Sequence, residues 1–145
     1  MKRVPHSEVD YPGDGFYYHD GERFTGVDYI LNEDEGWLQV ETEYVEGLPS
    51  GLVREWGSPN GDRLVYEGQF RGGVVHGRQR RWSDDGTLIE DGEYEYGIPL
   101  WEKKWDEDGD LIDNYELKES DANYTLLLKY RQIEKEQAEQ REASN

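Results

Sequence analysis

The sequence predicts a mainly β protein, an elongated single-layer antiparallel meander of tandem hairpins that is followed by one C-terminal α-helix. Residues 51–77 and 77–101 are two variants of one unit, in which a Trp, a turn and an acid-Gly-x-aromatic element recur in the same order. Glycines of the predicted turns recur at intervals of 25, 25 and 23 residues: Gly36, Gly61, Gly86 and Gly109. Helical periodicity is missing between these turns, so the units are strands and the chain is a repeat protein.

The chain divides into three parts. Residues 1–14 are polar, contain Pro and Gly, and are expected to form an N-terminal arm or an extension of the sheet edge. Residues 15–120 hold the hairpin repeats, which we expect to begin with a half-unit at 16–26. Residues 121–145 contain neither Gly nor Pro and are expected to form a C-terminal helix and a polar tail.

Dipeptides of the Asn-Gly and Asp-Gly type mark the predicted hairpin turns. They occur at Asp20-Gly21, Asn60-Gly61, Asp85-Gly86 and Asp108-Gly109. Such dipeptides supply the positive φ angles of type I′ turns, so we expect that turn type at each position. If all hairpins share one phase, these turns lie at one end of the strands. The second set of turns, near Gly47, Gly73 and Gly97, then lies at the opposite end.

Charge is divided between the two strands of a unit. The first strand tends to be basic, as in Arg78, Arg80 and Arg81, and the returning strand tends to be acidic, as in Glu93 and Glu95. Opposite charges that face each other across an antiparallel pair stabilise the pairing. Most bases are therefore expected inside the sheet, which leaves one acidic end at the Asn-Gly and Asp-Gly turns and one nearly uncharged, partly apolar end.

The composition limits the size of the core. Hydrophobic residues make up 34% of the chain and charged residues another 34%, which is too thin for a thick globular core. An aromatic content of 13% argues against disorder. We expect the period-locked tryptophans to form the core of the repeat rather than a ligand-stacking stripe. They are Trp56, Trp82, Trp101 and Trp105.

The formal net charge of −18 restricts the partners. Nucleic acids and anionic membranes need Lys and Arg, so neither is expected, whereas a basic protein partner would be attracted. High acidity is equally typical of a chain that is merely soluble. The chain has no Cys and no apolar leader or membrane-spanning run, which fits a cytoplasmic location.

No pattern for catalysis, a metal or a cofactor stands out. Residues 106–113 resemble the start of a calcium loop, but Leu111 occupies the position that needs Gly and Leu117 the position that needs Glu. An acidic hairpin turn is the preferred interpretation. The three histidines are isolated, and no Gly-rich phosphate loop is present. Carboxylates are so numerous that a carbohydrate-active enzyme with a pair of acids stays open as an alternative.

Residues from about 121 to 141 predict the helix. Leu126, Leu127, Tyr130 and Ile133 recur at helical spacing, and Ser120 or Asp121 can cap its start. We expect this helix to cover the last strand, because an uncovered edge invites pairing with other chains.

The repeated units resemble the MORN-repeat variant found in YwqK-type antitoxins and bacterial immunity proteins. The resemblance covers about residues 15–117. In one unit it depends on Gly51, Trp56, Asn60-Gly61, Leu64, Glu67, Phe70, Gly73 and His76-Gly77. In the next it depends on Trp82, Asp85-Gly86, Leu88, Tyr94, Gly97, Trp105 and Asp108-Gly109. Trp101 departs from the pattern because Gly51 and Gly77 occupy the same place in the preceding units.

The resemblance implies a non-enzymatic protein that neutralises a toxin encoded beside it, with neither a metal nor a cofactor. The acidic composition fits a basic toxin, such as a nuclease or an enzyme that uses nucleotides. A MORN-type scaffold or a lipid-associating module is the alternative from the wider class. The carboxylates expected at the interface are Asp84, Asp85, Glu90, Asp91, Asp106 and Asp108.

Overall fold

The computed structural model describes residues 1–57 and 60–144. Strands and one long helix account for most of this part of the chain, with a 3₁₀ turn at His6–Glu8. The elements are β1 (Arg3–Pro5), β2 (Tyr18–His19), β3 (Glu22–Arg23), β4 (Gly26–Leu31), β5 (Leu38–Val45), β6 (Leu48–Gly57), β7 (Arg63–Arg71), β8 (Val74–Trp82), β9 (Leu88–Glu95), β10 (Ile98–Trp105), β11 (Leu111–Glu116) and α1 (Ala122–Ser144).

The predicted meander is confirmed. Nine strands form one open sheet in the order β1-β4-β5-β6-β7-β8-β9-β10-β11, and every pair from β4 to β11 is antiparallel. Two details of the prediction are wrong. The N-terminal segment extends the sheet edge, as expected, but its strand β1 pairs with β4 in parallel, so the sheet is not wholly antiparallel. The hairpin at Asp20-Gly21 forms a separate two-stranded sheet, β2 and β3, so the meander begins at Gly26.

Type I′ geometry occurs mainly at the turns for which it was not predicted. Glu46-Gly47, Gly72-Gly73 and Tyr96-Gly97 each have two consecutive positive φ angles, and each connects its strands as a two-residue loop. Asp20-Gly21 has the same geometry, as predicted. This turn type matches the twist of the flanking strands, which explains its use where the loops are shortest.

The Asp-Gly turns at Asp85-Gly86 and Asp108-Gly109 are longer. Only the glycine has a positive φ angle, 89° at Gly86 and 85° at Gly109, so the predicted type I′ turn is wrong there. The N–H of Gly86 donates to the carbonyl of Ser83, and Gly109 donates likewise to Asp106. A type I turn followed by a left-handed glycine suits a three-residue loop, in which aspartate can adopt its ordinary φ.

Successive turns at the opposite end are joined to one another; we call this the closed end. Its two-residue turns each donate a glycine N–H to the preceding unit. Gly47 donates to the carbonyl of Phe24, Gly73 to Pro49 and Gly97 to Val75, each at 2.8–2.9 Å. The N–H of Leu117 makes the same kind of bond to Leu100 at 2.9 Å. A series of main-chain hydrogen bonds therefore connects each unit to the preceding one at the closed end.

Two repeat glycines leave room for a side chain from the preceding strand. Gly51 has a φ of 106°, and a Cβ there would lie 1.9 Å from Oε2 of Glu43. That carboxylate accepts the N–H of Leu52 at 2.7 Å. In the next unit, Gln69 occupies the equivalent space at Gly77 and accepts the N–H of Arg78 at 2.7 Å.

Most of the buried hydrophobic residues in the described part of the chain lie near the closed end; Tyr66, which lies in β7 opposite Glu55 and Arg81, is the exception. Phe24 and Tyr44 pack together at 5.3 Å between ring centroids, beside Val4, in a cluster formed by the N-terminal segment and the first strands. Ile98 and Leu127 are also buried. The prediction of a tryptophan core is wrong in degree: the four repeat tryptophans are half-buried, because a single sheet leaves one side of each ring in solvent.

The helix forms where it was predicted but not against the last strand. Arg131 binds Glu95 at the end of β9 through two hydrogen bonds of 2.7 and 2.8 Å, and Glu134 binds Arg71 at the end of β7. Tyr130 packs on Tyr96, with ring centroids 5.3 Å apart. The helix thus leads from β11 back across the closed end, and the predicted cover for β11 is wrong.

Candidate partner-binding surface

The meander brings four loops to the other end of the strands. These loops, at residues 32–37, 58–62, 83–87 and 106–110, contain ten carboxylates and no Lys or Arg; we call this the acidic end. One of the carboxylates, Asp62, belongs to a loop that lies partly outside the described residues. The ten carboxylates are Glu33, Asp34, Glu35, Asp62, Asp84, Asp85, Asp106, Glu107, Asp108 and Asp110. All are exposed except the half-buried Asp106.

Two of these carboxylates fix the shape of their loops. Oδ1 of Asp85 accepts the Ser83 hydroxyl and the Thr87 N–H. These hydrogen bonds lower the pKa of Asp85 to about 2. Oδ1 of Asp106 accepts the N–H groups of Asp108 and Asp110 at 3.0 and 2.9 Å. Both loops therefore hold their remaining acids in defined positions.

Acidic and basic side chains alternate from strand to strand in a row across one face of the sheet; we call this row the charge ladder. In register, neighbouring strands oppose Glu41 to Arg54, Arg54 to Glu67, Glu67 to Arg80, Arg80 to Asp91, and Asp91 to Lys103. The Arg54–Glu67 pair is 2.9 Å long. Arg78 adds a bidentate contact to Asp91, with both hydrogen bonds at 2.6 Å.

A shorter row of the same kind lies on the opposite face. Arg81 opposes Glu90, with 3.7 Å between the charged atoms, and Glu90 opposes Lys104, which opposes Asp113 in β11. Alternation on both faces confirms the expected pairing of basic and acidic strands. Because bases neutralise acids within the sheet, the surplus of negative charge is concentrated at the loops.

The six carboxylates predicted for the interface do not form one surface. Asp84 and Asp108 are exposed at the acidic end, where Asp85 and Asp106 also lie as turn caps. Glu90 and Asp91 are adjacent in β9 and therefore lie on opposite faces, each beside a base. Partner binding by these six residues stays a prediction, and the structure separates the four loop residues from the two strand residues.

The closed end is less open than the sequence suggested. Its turn residues are uncharged except Glu46, but Phe16 and Tyr17 pack against Gly47, and the helix packs against Tyr96. His76 accepts the N–H of Tyr96 through Nδ1 at 3.0 Å. Burial, and then the charge of Arg71, lower the pKa of His76. This end is occupied by the chain itself.

A buried polar cluster was not predicted. Asp28 is only 2% exposed, lies 2.6 Å from Nδ1 of His6 and is a neighbour of Tyr44. Burial, and then the charge of Asp28, raise the pKa of Tyr44 well above its usual range. Sequence reasoning had no signal for this cluster, because His6 lies outside the repeats and reaches Asp28 only through the parallel pairing of β1.

In the ranges 1–57 and 60–144, no group of three or more His, Asp or Glu side chains is arranged to hold a metal ion. Within these ranges, no helix has the length and apolar character needed to span a membrane. Comparisons with protein-family models, with curated proteins and with solved structures find no match to the chain.

Proposed function

We propose that the protein is a cytoplasmic immunity protein or antitoxin, which binds one basic toxin domain and blocks its active or substrate-binding surface. The observation that carries this proposal is the acidic end, whose four loops contain ten carboxylates and no Lys or Arg, with Arg63 of β7 as the one base that reaches a described loop, at Gly86. Neither a nucleic acid nor a membrane suits such a surface. A cleft that binds anionic substrates, as in a nuclease or a nucleotide-using enzyme, does suit it.

The arrangement of the loops supports binding by a preformed surface. Hydrogen bonds to Asp85 and Asp106 hold two of the loops, and Asn32 accepts the N–H groups of Asp34 and Glu35 in a third. Preorganised loops lose little conformational entropy when a partner binds. The attraction between opposite charges would also accelerate association, and this effect weakens as salt increases.

Co-expression with the product of the adjacent gene tests the proposal. We expect a tagged form of the chain to capture that product at low salt and to restore growth of cells that express it. Absence of a complex at low salt would contradict the proposed function.

A variant that neutralises one exposed acid in each loop shows whether the acidic end is responsible. It combines Asp34→Asn, Asp62→Asn, Asp84→Asn and Asp108→Asn, and we expect it to bind about tenfold or more weakly. The control removes the same charge from exposed carboxylates elsewhere: Glu22→Gln, Glu119→Gln, Glu139→Gln and Glu142→Gln. We expect the control to bind like the unmodified chain.

A further inference from the structure

The two edges of the nine-stranded sheet are finished differently. At one edge, β1 has only three residues, includes Pro5, and passes directly into a 3₁₀ turn. Short strands and proline are common means of blocking unwanted pairing. At the other edge, β11 has six residues without Pro or Lys, and among the described residues no strand lies on its outer side. Ile112 is 65% exposed there.

We infer that β11 is a docking edge, to which a protein partner adds a β-strand that carries Lys or Arg. This inference rests on the proposed function, because it specifies how the basic partner is held. Addition of a strand to an open edge is a common mode of recognition, in which main-chain hydrogen bonds provide affinity and side chains provide specificity.

The main-chain groups needed for such pairing point outward from the edge of the sheet. The N–H of Leu117 donates to Leu100, so this pair is a hydrogen-bonded pair of the antiparallel ladder. Hydrogen-bonded pairs alternate with non-hydrogen-bonded pairs, and Asp113 to Glu116 pair with β10 without a register shift. Asn114 and Glu116 therefore direct their N–H and C=O groups away from β10.

Charge identifies the kind of strand that fits. The row Arg81, Glu90, Lys104 and Asp113 alternates in sign from β8 to β11 and ends on an acid. At the opposite edge of the sheet, the charge ladder on the other face ends on a base instead, because Arg3 of β1 pairs with Glu41. A strand added to β11 would continue the alternation if it placed a base opposite Asp113, and Glu116 on the other face favours a second base.

A second copy of this chain is a poorer occupant for the same reason. Its β11 would bring another Asp113 and Glu116, together with the acids of the adjoining loop at residues 106–110. Like charges that face each other across strands are destabilising. The helix is not an alternative cover, because its ion pairs are made with Glu95 and Arg71 on distant strands.

Hydrogen exchange with synthetic peptides tests this inference. One short peptide alternates Lys with Val, and its matched control alternates Glu with Val. We expect the Lys peptide to slow exchange at the amides of Asn114 and Glu116, and the Glu peptide to leave both unchanged. Failure of the Lys peptide to protect these amides, or a dimer of the free chain that protects them, would overturn the inference.

A pair of substitutions at one position separates edge pairing from simple attraction to acids. Asn114→Pro removes an outward N–H and places a ring in the path of the added strand, whereas Asn114→Ala retains the N–H. We expect the proline variant to bind the Lys peptide about tenfold or more weakly than the alanine variant. Equal binding by the two variants would overturn the inference.

The same pair distinguishes the edge from the proposed function. We expect Asn114→Ala to capture the product of the adjacent gene and Asn114→Pro to capture it about tenfold or more weakly. Undiminished capture by Asn114→Pro would leave the immunity function in place and overturn the docking edge. Protection of β11 by the Lys peptide without capture of that product would leave the docking edge in place and overturn the immunity function.

Discussion

The closed end and the acidic end use the same repeating strands for different purposes. At the closed end, turns are two residues long, successive turns are hydrogen-bonded to each other, and the N-terminal segment and the helix cover them. At the acidic end, the loops at residues 32–37, 83–87 and 106–110 are each held by their own side chains, and their charges face solvent. Stability is thus concentrated at one end, which leaves the other available for binding.

The largest effect on stability is expected from a cavity in the buried cluster of Val4, Phe24 and Tyr44 near the closed end. Phe24 is 1% exposed and packs against Tyr44. We expect Phe24→Ala to lower the free energy of unfolding by about 3–5 kcal/mol, because it leaves a cavity in the best-packed part of the molecule. Urea denaturation measures the change. Ile112→Ala is the control and should cost less than about 1 kcal/mol, since that side chain is largely in solvent.

Two glycine substitutions compare the ends directly. Gly51 and Gly36 both have positive φ angles, 106° and 78°, so alanine strains the backbone at either position. At Gly51 the new methyl group would also collide with the Glu43 carboxylate, whereas nothing lies within 4 Å at Gly36. We expect Gly36→Ala to cost about 1–2 kcal/mol and Gly51→Ala more, measured by thermal unfolding. Equal losses would contradict the packing described for Gly51.

Much of this contrast between the two ends was predictable, because the same local sequence pattern occurs in several consecutive repeats. The phase of the hairpins, the alternation of basic and acidic strands, and the loops that carry the acids all follow from short-range sequence. The turn types were interchanged because Glu46-Gly47 and Tyr96-Gly97 lack the usual Asn or Asp. What lay outside the repeats was not predictable. The parallel β1, the buried Asp28 and the path of the helix depend on contacts between segments far apart in the chain.

The pH dependence of stability is a further property of the closed end. Above its ordinary pKa of 6.5, His76 is neutral in both states, and its stabilisation is complete. Because the folded chain has the lower pKa, this stabilisation is lost as the pH falls from 6.5 through the folded-state value. We expect the melting temperature to fall between pH 7 and pH 5, and to fall less in His76→Asn. The same decrease in both proteins would show that His76 is not responsible.

The smallest effect on folding is expected at the acidic end. The variant with four Asp→Asn changes, at Asp34, Asp62, Asp84 and Asp108, should alter the free energy of unfolding by no more than about 0.5 kcal/mol. A small gain is the expected direction, because repulsion among the loops is reduced. Chemical denaturation of this variant beside the four-Gln control measures it. A loss above about 1 kcal/mol would show that these acids maintain the fold.

The affinity of the captured partner as a function of salt tests most directly whether the acidic end is the binding surface. For the unmodified chain and the four-Gln control, we expect affinity to fall steeply as salt is raised, mainly through slower association. For the four-Asn variant, we expect weaker binding at low salt and a flatter dependence. Equal affinities and equal salt dependences in the four-Asn and four-Gln variants would contradict binding through the acidic end.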